Sequence, residues 1–159
     1  MKKLFLIIPG IPKPKQSARF AYRPTKDGKG FIHKYQKKEV VDNENNIKSI
    51  VILQLPEGFQ PFSGPIKINK LHYIFPPLKS FKKSEISFIQ TGGLIYKSTK
   101  PDLTDNLQKG LFDALEGIIF YNDSQVCWMD NVKKYYGLKP MIILEIEEIN
   151  KFNDKDLFT

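Results

Sequence analysis

Four side chains supply the chemistry available to this sequence. Asp105 and Lys109 stand four apart, so on a helix they share one face. Asp102 comes three positions earlier, behind Pro101, which fixes the local backbone and donates no hydrogen bond. Asp123 lies in an Asn-Asp turn further along, where the chain can fold back beside the start of the same helix. Carboxylates converging on one point repel each other unless a cation neutralises them. Hard oxygen donors suit Mg²⁺, with Mn²⁺ as a substitute; Mg²⁺ takes one or two carboxylates together with waters and a substrate phosphate. Such an ion polarises a phosphoryl oxygen and lowers the pKa of an attacking water. A lysine beside it stabilises the negative charge that builds up on the phosphate. His33 and His72 stand apart without metal-ligand spacing, which argues against zinc.

The same residues have a plainer use. Asp102 and Asp105 suit helix capping, Lys109 suits a solvated partner, and Asn122-Asp123 suits an ordinary turn. Spacing alone does not choose between the two uses.

The elements that must position them follow from periodicity. Residues 106–116 are predicted as a helix with Leu107, Leu111, Ala114 and Leu115 as its apolar stripe. Asp105 is its expected N-cap, with Gln108 completing a capping box, and Gly117 its stop. Downstream, a strand is predicted over residues 125–135 and the last one over 141–149. Upstream come a strand at 2–8, a helix at 37–55 with Val40, Ile47, Ile50 and Val51 on one face, and a strand at 65–75 stopped by Pro76-Pro77. A short helix is expected at 80–90, and Gly92-Gly93 opens a loop that runs to Asp102. This order predicts one α/β (α+β) domain over residues 1–149, a mixed sheet packed with two main helices. A polar tail follows at 150–159.

The net charge of +8 is unevenly placed. Residues 1–40 hold eleven Lys and Arg against Asp27 and Glu39, whereas in the remainder fourteen basic side chains meet fifteen acids. A polyanionic partner fits, since each phosphate neutralised by Lys or Arg releases condensed counterions. A lysine-rich solvated surface fits the charge equally well. Residues 9–36 are rich in Pro and Gly and are predicted as a long loop with a short hairpin around Asp27-Gly28. Inside it, Lys13, Lys15, Arg19 and Arg23 are candidates for holding the phosphates of such a polyanion. Lys100 and the pair Lys133-Lys134 are further candidates, and that pair equally suits guarding a sheet edge. Phe20 is a candidate wedge or a core residue; Tyr22, Cys127 and Trp128 are placed in the core. Asp113 is expected to be structural, and Asn106 and Gln125 to support the acidic turn by hydrogen bonds.

Other readings are bounded quickly. The apolar start is short and closed by Pro9-Gly10, which reads as a buried strand rather than a signal peptide, and no apolar run reaches membrane-spanning length. A single cysteine, Cys127, forms no internal disulfide, so a cytoplasmic location is the default.

The stretch from Asp102 to Val126 resembles the signature of the RusA family of Holliday-junction resolvases. The matching pieces are Asp102, then Asp105-Asn106-Leu107-Gln108-Lys109, then Asp113-Ala114-Leu115, then Asn122-Asp123-Ser124-Gln125-Val126. The Pro-Gly-Ile-Pro-Lys-Pro-Lys opening is similar too. Two departures stand out. Leu103-Thr104 separate the first two aspartates, where the family often has one residue, and Asn122 stands where it often has Asp. The resemblance implies that Asp102, Asp105 and Asp123 bind Mg²⁺ and that Lys109 is needed for cleavage. It also implies a homodimer acting on branched DNA, nicking four-way junctions in recombination and repair. The rivals are a nuclease for forks or flaps and a junction-binding protein with a disabled site.

Overall fold

The computed structural model describes residues 2–16 and 18–152. Strict alternation builds β1 (Lys3–Pro9), in which Leu4, Leu6 and Ile8 turn inward. It runs antiparallel to β8 (Met141–Glu148), whose Ile142, Leu144 and Ile146 enter the same core. The central strand is β4 (Ile66–Phe75). It pairs antiparallel with β8 on one side and parallel with both β6 (Val126–Met129) and β7 (Val132–Tyr136) on the other. The two-residue β5 (Ile95–Tyr96) lies antiparallel against β7. The spatial order is β1-β8-β4-β7-β5, with β6 also on β4. The expected mixed sheet in a single α+β domain is what forms.

Two helices pack on each other and on the sheet. From α1 (Lys38–Gln54), Ile47 and Val51 enter the core; from α3 (Gln108–Leu115), Leu111, Phe112, Ala114 and Leu115 do. Each large apolar side chain so buried contributes roughly 1.5–3 kcal/mol. A third helix, α2 (Lys83–Gln90), is anchored by Ile89. At the end of α1 the Gln54 amide grips the outer edge of β1: its Nε2 donates to the Ile7 carbonyl at 2.7 Å, and the Ile7 N–H donates to its Oε1 at 3.0 Å. That edge would otherwise offer unpaired backbone to another strand.

Four expectations need correction. The strand predicted at 125–135 is broken at Asp130-Asn131, where Asn131 takes φ 48, a left-handed conformation that Asn tolerates. Both pieces still pair with β4 in one register across the break, Ile68 with Met129 and Leu71 with Val132; the register shift lies earlier, between Ile66 and Lys67. The capping box at Asp105 does not form. The helix is entered through a widened π turn, Leu103–Leu107, in which the Leu107 N–H donates to the Asp102 carbonyl at 3.2 Å. Asp102 stands before this turn and makes no side-chain cap bond, while Asp105 lies inside it.

Thirdly, the short hairpin is a full ribbon, β2 (Arg19–Arg23) with β3 (Phe31–Tyr35), closed by a turn in which Gly28 takes φ +72. It has no second layer, so Tyr22 is 65% exposed rather than in the core, its ring lying over Gly30. Lastly, Cys127 and Trp128 are also exposed. The Trp128 ring instead packs under the Lys67 ammonium, 3.5 Å from its centre, and its indole N–H donates to Asp130 Oδ1. Most of the expected tail, residues 153–159, lies outside the described residues. No helix among the described residues is long and apolar enough to cross a membrane.

Candidate active site

The π turn sets the first two aspartates. Leu107 is buried and Leu103 packs against the core, so the apolar side of the turn is anchored and the polar side is left to solvent. Asp102 and Asp105 are both exposed. The turn also accounts for the residue pair Leu103-Thr104. One extra residue converts an i to i+4 closure into an i to i+5 closure, which is what a π turn is.

The approach to Asp102 is held by the sheet. From β7, Lys134 Nζ donates to the Thr99 carbonyl at 2.7 Å and to the Pro101 carbonyl at 2.6 Å. The backbone reinforces this, since the Lys97 N–H donates to the Lys134 carbonyl at 3.2 Å. Lys134 was a candidate for DNA contact; its ammonium is instead turned onto the loop before the carboxylates. Its neighbour Lys133 is half-buried, in register with His72, whereas Lys100 is exposed.

Asp123 tops a separate 3₁₀ turn, Asp123–Gln125. Asn122 caps it by accepting from the Ser124 N–H at 2.9 Å, a task an amide oxygen performs as well as a carboxylate does. Gln125 uses both ends of its amide. Its Oε1 accepts from the N–H groups of Tyr121 (2.8 Å) and Asn122 (2.9 Å), and its Nε2 donates to the carbonyls of Phe62 and Gly64, both at 2.9 Å. The far side of that peptide is fixed as well. Glu148 accepts from the N–H groups of Ser63 at 2.8 Å and Gly64 at 2.6 Å. The Gly64 bond, chiefly, holds the Glu148 carboxyl below the usual carboxylate range. Asp123 itself is exposed.

The basic loop reaches the motif helix through Lys15. Its backbone N–H donates to the Asn106 carbonyl at 3.0 Å, so Asn106 acts here through its main chain. Its ammonium lies 2.6 Å from Asp113 Oδ2 and 3.4 Å from Glu44 Oε2, with the side chain 11% exposed. Burial is the largest single effect on this ammonium and pulls its pKa down. The hydrogen bond and charge of Asp113, with Glu44, outweigh it and leave the pKa above the usual lysine value. Lys15 is thus tied to α3 and α1 rather than presented to a partner. The close approach requires Gly110, where an added Cβ would meet Lys15 Cβ at 3.1 Å and Lys15 N at 3.2 Å. Lys13, Arg19 and Arg23 remain exposed. Lys109 is exposed on the same helix and lines a cleft with Lys15 and Asp113.

Sequence reasoning missed Glu44, Glu148 and Lys34, the last of which lines that same cleft. Glu44 and Glu148 act across long separations that carry no local signal. Lys34 was visible only as one more charge of the basic quarter.

The expected meeting of three carboxylates is not present. Among the described residues no group of three or more His, Cys, Asp and Glu side chains is placed to hold a metal ion. Asp102 precedes one turn and Asp105 lies within it, Asp123 tops another, and like charges exposed to solvent gain nothing by approaching.

A family model described as Endodeoxyribonuclease RusA matches residues 9–147. The chain belongs to the RusA family. The match includes the ribbon, the π turn, the acidic turn and nearly all of β8. The RusA-family chain is also similar to the uncharacterized protein YqaN of Bacillus subtilis (strain 168), 34% identical over 89 residues. That alignment covers 55% of this chain and 61% of YqaN, less than two thirds of either.

For this RusA-family chain the donors fit a hard divalent cation in kind. Asp102, Asp105 and Asp123 are exposed, and none takes part in an ion pair among the described residues. Mg²⁺ needs only one or two protein carboxylates, the rest of its shell being water and phosphate.

Proposed function

We propose that this protein is a Mg²⁺-dependent endonuclease that cuts four-way DNA junctions by paired nicks, one from each subunit of a two-fold dimer. The observation that carries this reading is a RusA-family chain with exposed, unpaired carboxylates on two anchored turns and an exposed lysine on the helix that follows the first. Mg²⁺, or Mn²⁺ in its place, supplies an activated water and a polarised phosphoryl oxygen when bound. Asp102, Asp105 and Asp123 are the residues that would hold it. Lys109 stabilises the charge developing on the phosphate. Lys134 and Gln125 keep the two carboxylate-bearing turns in place, which matters because an error of about 1 Å in position costs on the order of a hundredfold in rate.

DNA is held through phosphate contacts by the exposed cations Lys13, Arg19, Arg23 and Lys100, with Lys133 at the margin. A two-fold dimer sets identical sites at the two symmetric strands of a junction. Phe5 and Ile7, exposed on the face of β1 opposite Leu4, Leu6 and Ile8, offer an apolar contact for it. A cytoplasmic site of action suits the exposed free thiol of Cys127.

Cleavage of synthetic junction, fork and linear duplex, each with and without Mg²⁺, tests this function. Metal-dependent cutting of the junction ahead of the others supports it. Preference for forks or flaps would move the assignment to another branched substrate. A second reading, a junction-binding protein with a weak site, is favoured by one observation, the absence of a gathered three-carboxylate cluster among the described residues. Binding without cutting in either Mg²⁺ or Mn²⁺ would select it.

A further inference from the structure

The ribbon β2–β3 stands off the core. Its register pairs Arg19 with Tyr35, Phe20 with Lys34, Ala21 with His33, Tyr22 with Ile32 and Arg23 with Phe31. Directly paired residues point to the same side. One face therefore presents Arg19, Arg23, Phe31, His33 and Tyr35, and the other presents Phe20, Tyr22, Ile32 and Lys34. Phe20 is 69% and Ile32 71% exposed. A lone two-stranded ribbon is marginal in water, so this one gains from something that covers it. Charge selects the occupant. Arg19, Arg23, Lys26, Lys29 and Lys34 stand against one acid, Asp27. Such a ribbon repels its own copy and attracts a polyanion.

The root of the ribbon opens onto the motif helix. There Lys34 and Gln36 face Lys109 and Asp113 across a cleft of about 230 Å³, also lined by Lys15 and Gln16. Lys15 and Asp113 neutralise each other at 2.6 Å. Lys34 and Lys109 are left without an ion-pair partner among the described residues, with the two glutamine amides as added donors. At ~30 Å³ per water, the cleft has room for a phosphate and its residual hydration.

We propose that the ribbon and this cleft form one strand-binding track, in which a single DNA backbone phosphate is seated between Lys34 and Lys109. This rests on the DNA-cutting reading and adds to it the contact that brings a strand to Lys109. The seat delivers the strand, and the ribbon's exposed face covers the nucleotides beside it. Lys34 is a binding residue, not a catalytic one.

The test is junction binding in EDTA, where nothing is cut, measured across a range of salt for the parent, Lys34→Ala, Lys34→Arg and a Phe20→Ser/Ile32→Ser double variant. Lys34→Ala is expected to weaken binding severalfold and to reduce the log–log salt slope by up to about 0.9, the value of one lost phosphate contact, and Lys34→Arg to restore it. The double variant is expected to bind more weakly with its oligomeric state unchanged. A parental slope in Lys34→Ala overturns the proposal alone. So does a double variant that loses its dimer yet binds DNA as the parent does, because the ribbon would then dock on a second copy. A parent that binds no junction at any salt instead overturns the DNA reading itself, and the proposal with it.

Discussion

Lys134 donates to the carbonyl of Pro101 over 2.6 Å, one residue before Asp102. The same ammonium holds the Thr99 carbonyl, so β7, a strand inside the sheet, fixes where the π turn begins. A DNA-contacting lysine and a loop-holding lysine respond differently to removal. Lys134→Met should cut junction cleavage by about tenfold or more and stability by ~1–3 kcal/mol, since two charge-assisted bonds are lost. Its salt dependence of binding should match the parent's. A shallower slope in a binding titration would return Lys134 to the phosphate contacts.

The Lys15–Asp113 pair ties the basic loop to α3. Asp113→Ala leaves a largely buried ammonium with only the longer Glu44 contact at 3.4 Å. A loss of ~1–2 kcal/mol is expected in urea unfolding, between the values for exposed and buried pairs. An unchanged midpoint would mean that water satisfies Lys15 equally well.

Tyr73 is fully buried, and its hydroxyl has no hydrogen-bond partner among the described residues; burial pushes its pKa far up. Removing an unsatisfied buried hydroxyl costs no bond. Tyr73→Phe should therefore unfold at the same or a higher Tm than the parent. A clear drop would reveal a bond made by that hydroxyl.

His72 gives the fold a pH dependence. Burial, with the nearby Lys133 and Lys70 charges, lowers its pKa below 6.5 against the opposing Asn131 bond. The unfolded chain then binds the proton more readily than the folded one. This contribution to stability is present above pH 6.5 and is lost as pH falls through the folded value. Glu148, also lowered, acts in the same direction at lower pH, below 4.5. His72→Gln should flatten the decline of Tm that begins near pH 6.5, as thermal melts across pH 5–8 would show. A parental decline in the variant would assign it to other groups.

Much of this arrangement is legible in the residues themselves. The run of β-formers from Leu4 to Ile8 marks a buried strand without showing which face turns inward, Pro76-Pro77 ends β4, and the stripe from Leu107 to Leu115 marks α3. The π turn was not legible, because Asp105 satisfies every local rule for an N-cap and only the anchoring of Leu103 and Leu107 moves the helix start back to Asp102. The break at Asn131 was hidden for a similar reason, since both halves of that stretch are good strand formers. Ribbon length escaped because exposed strands carry no inward alternation. At the site, the sequence names the carboxylates but not their spacing in space. Nor does it show that Lys15 and Lys134 are turned inward, for a lysine looks the same whether it meets a phosphate or a carbonyl.

The most direct measurement runs junction binding and junction cleavage side by side for the parent and Asp105→Asn, in Mg²⁺. Symmetric nicks by the parent, absent from a variant that still binds the junction with parental affinity, are the expected result. Cutting by Asp105→Asn at the parental rate would contradict the assignment of these carboxylates. Binding without cutting by the parent itself would contradict the nuclease.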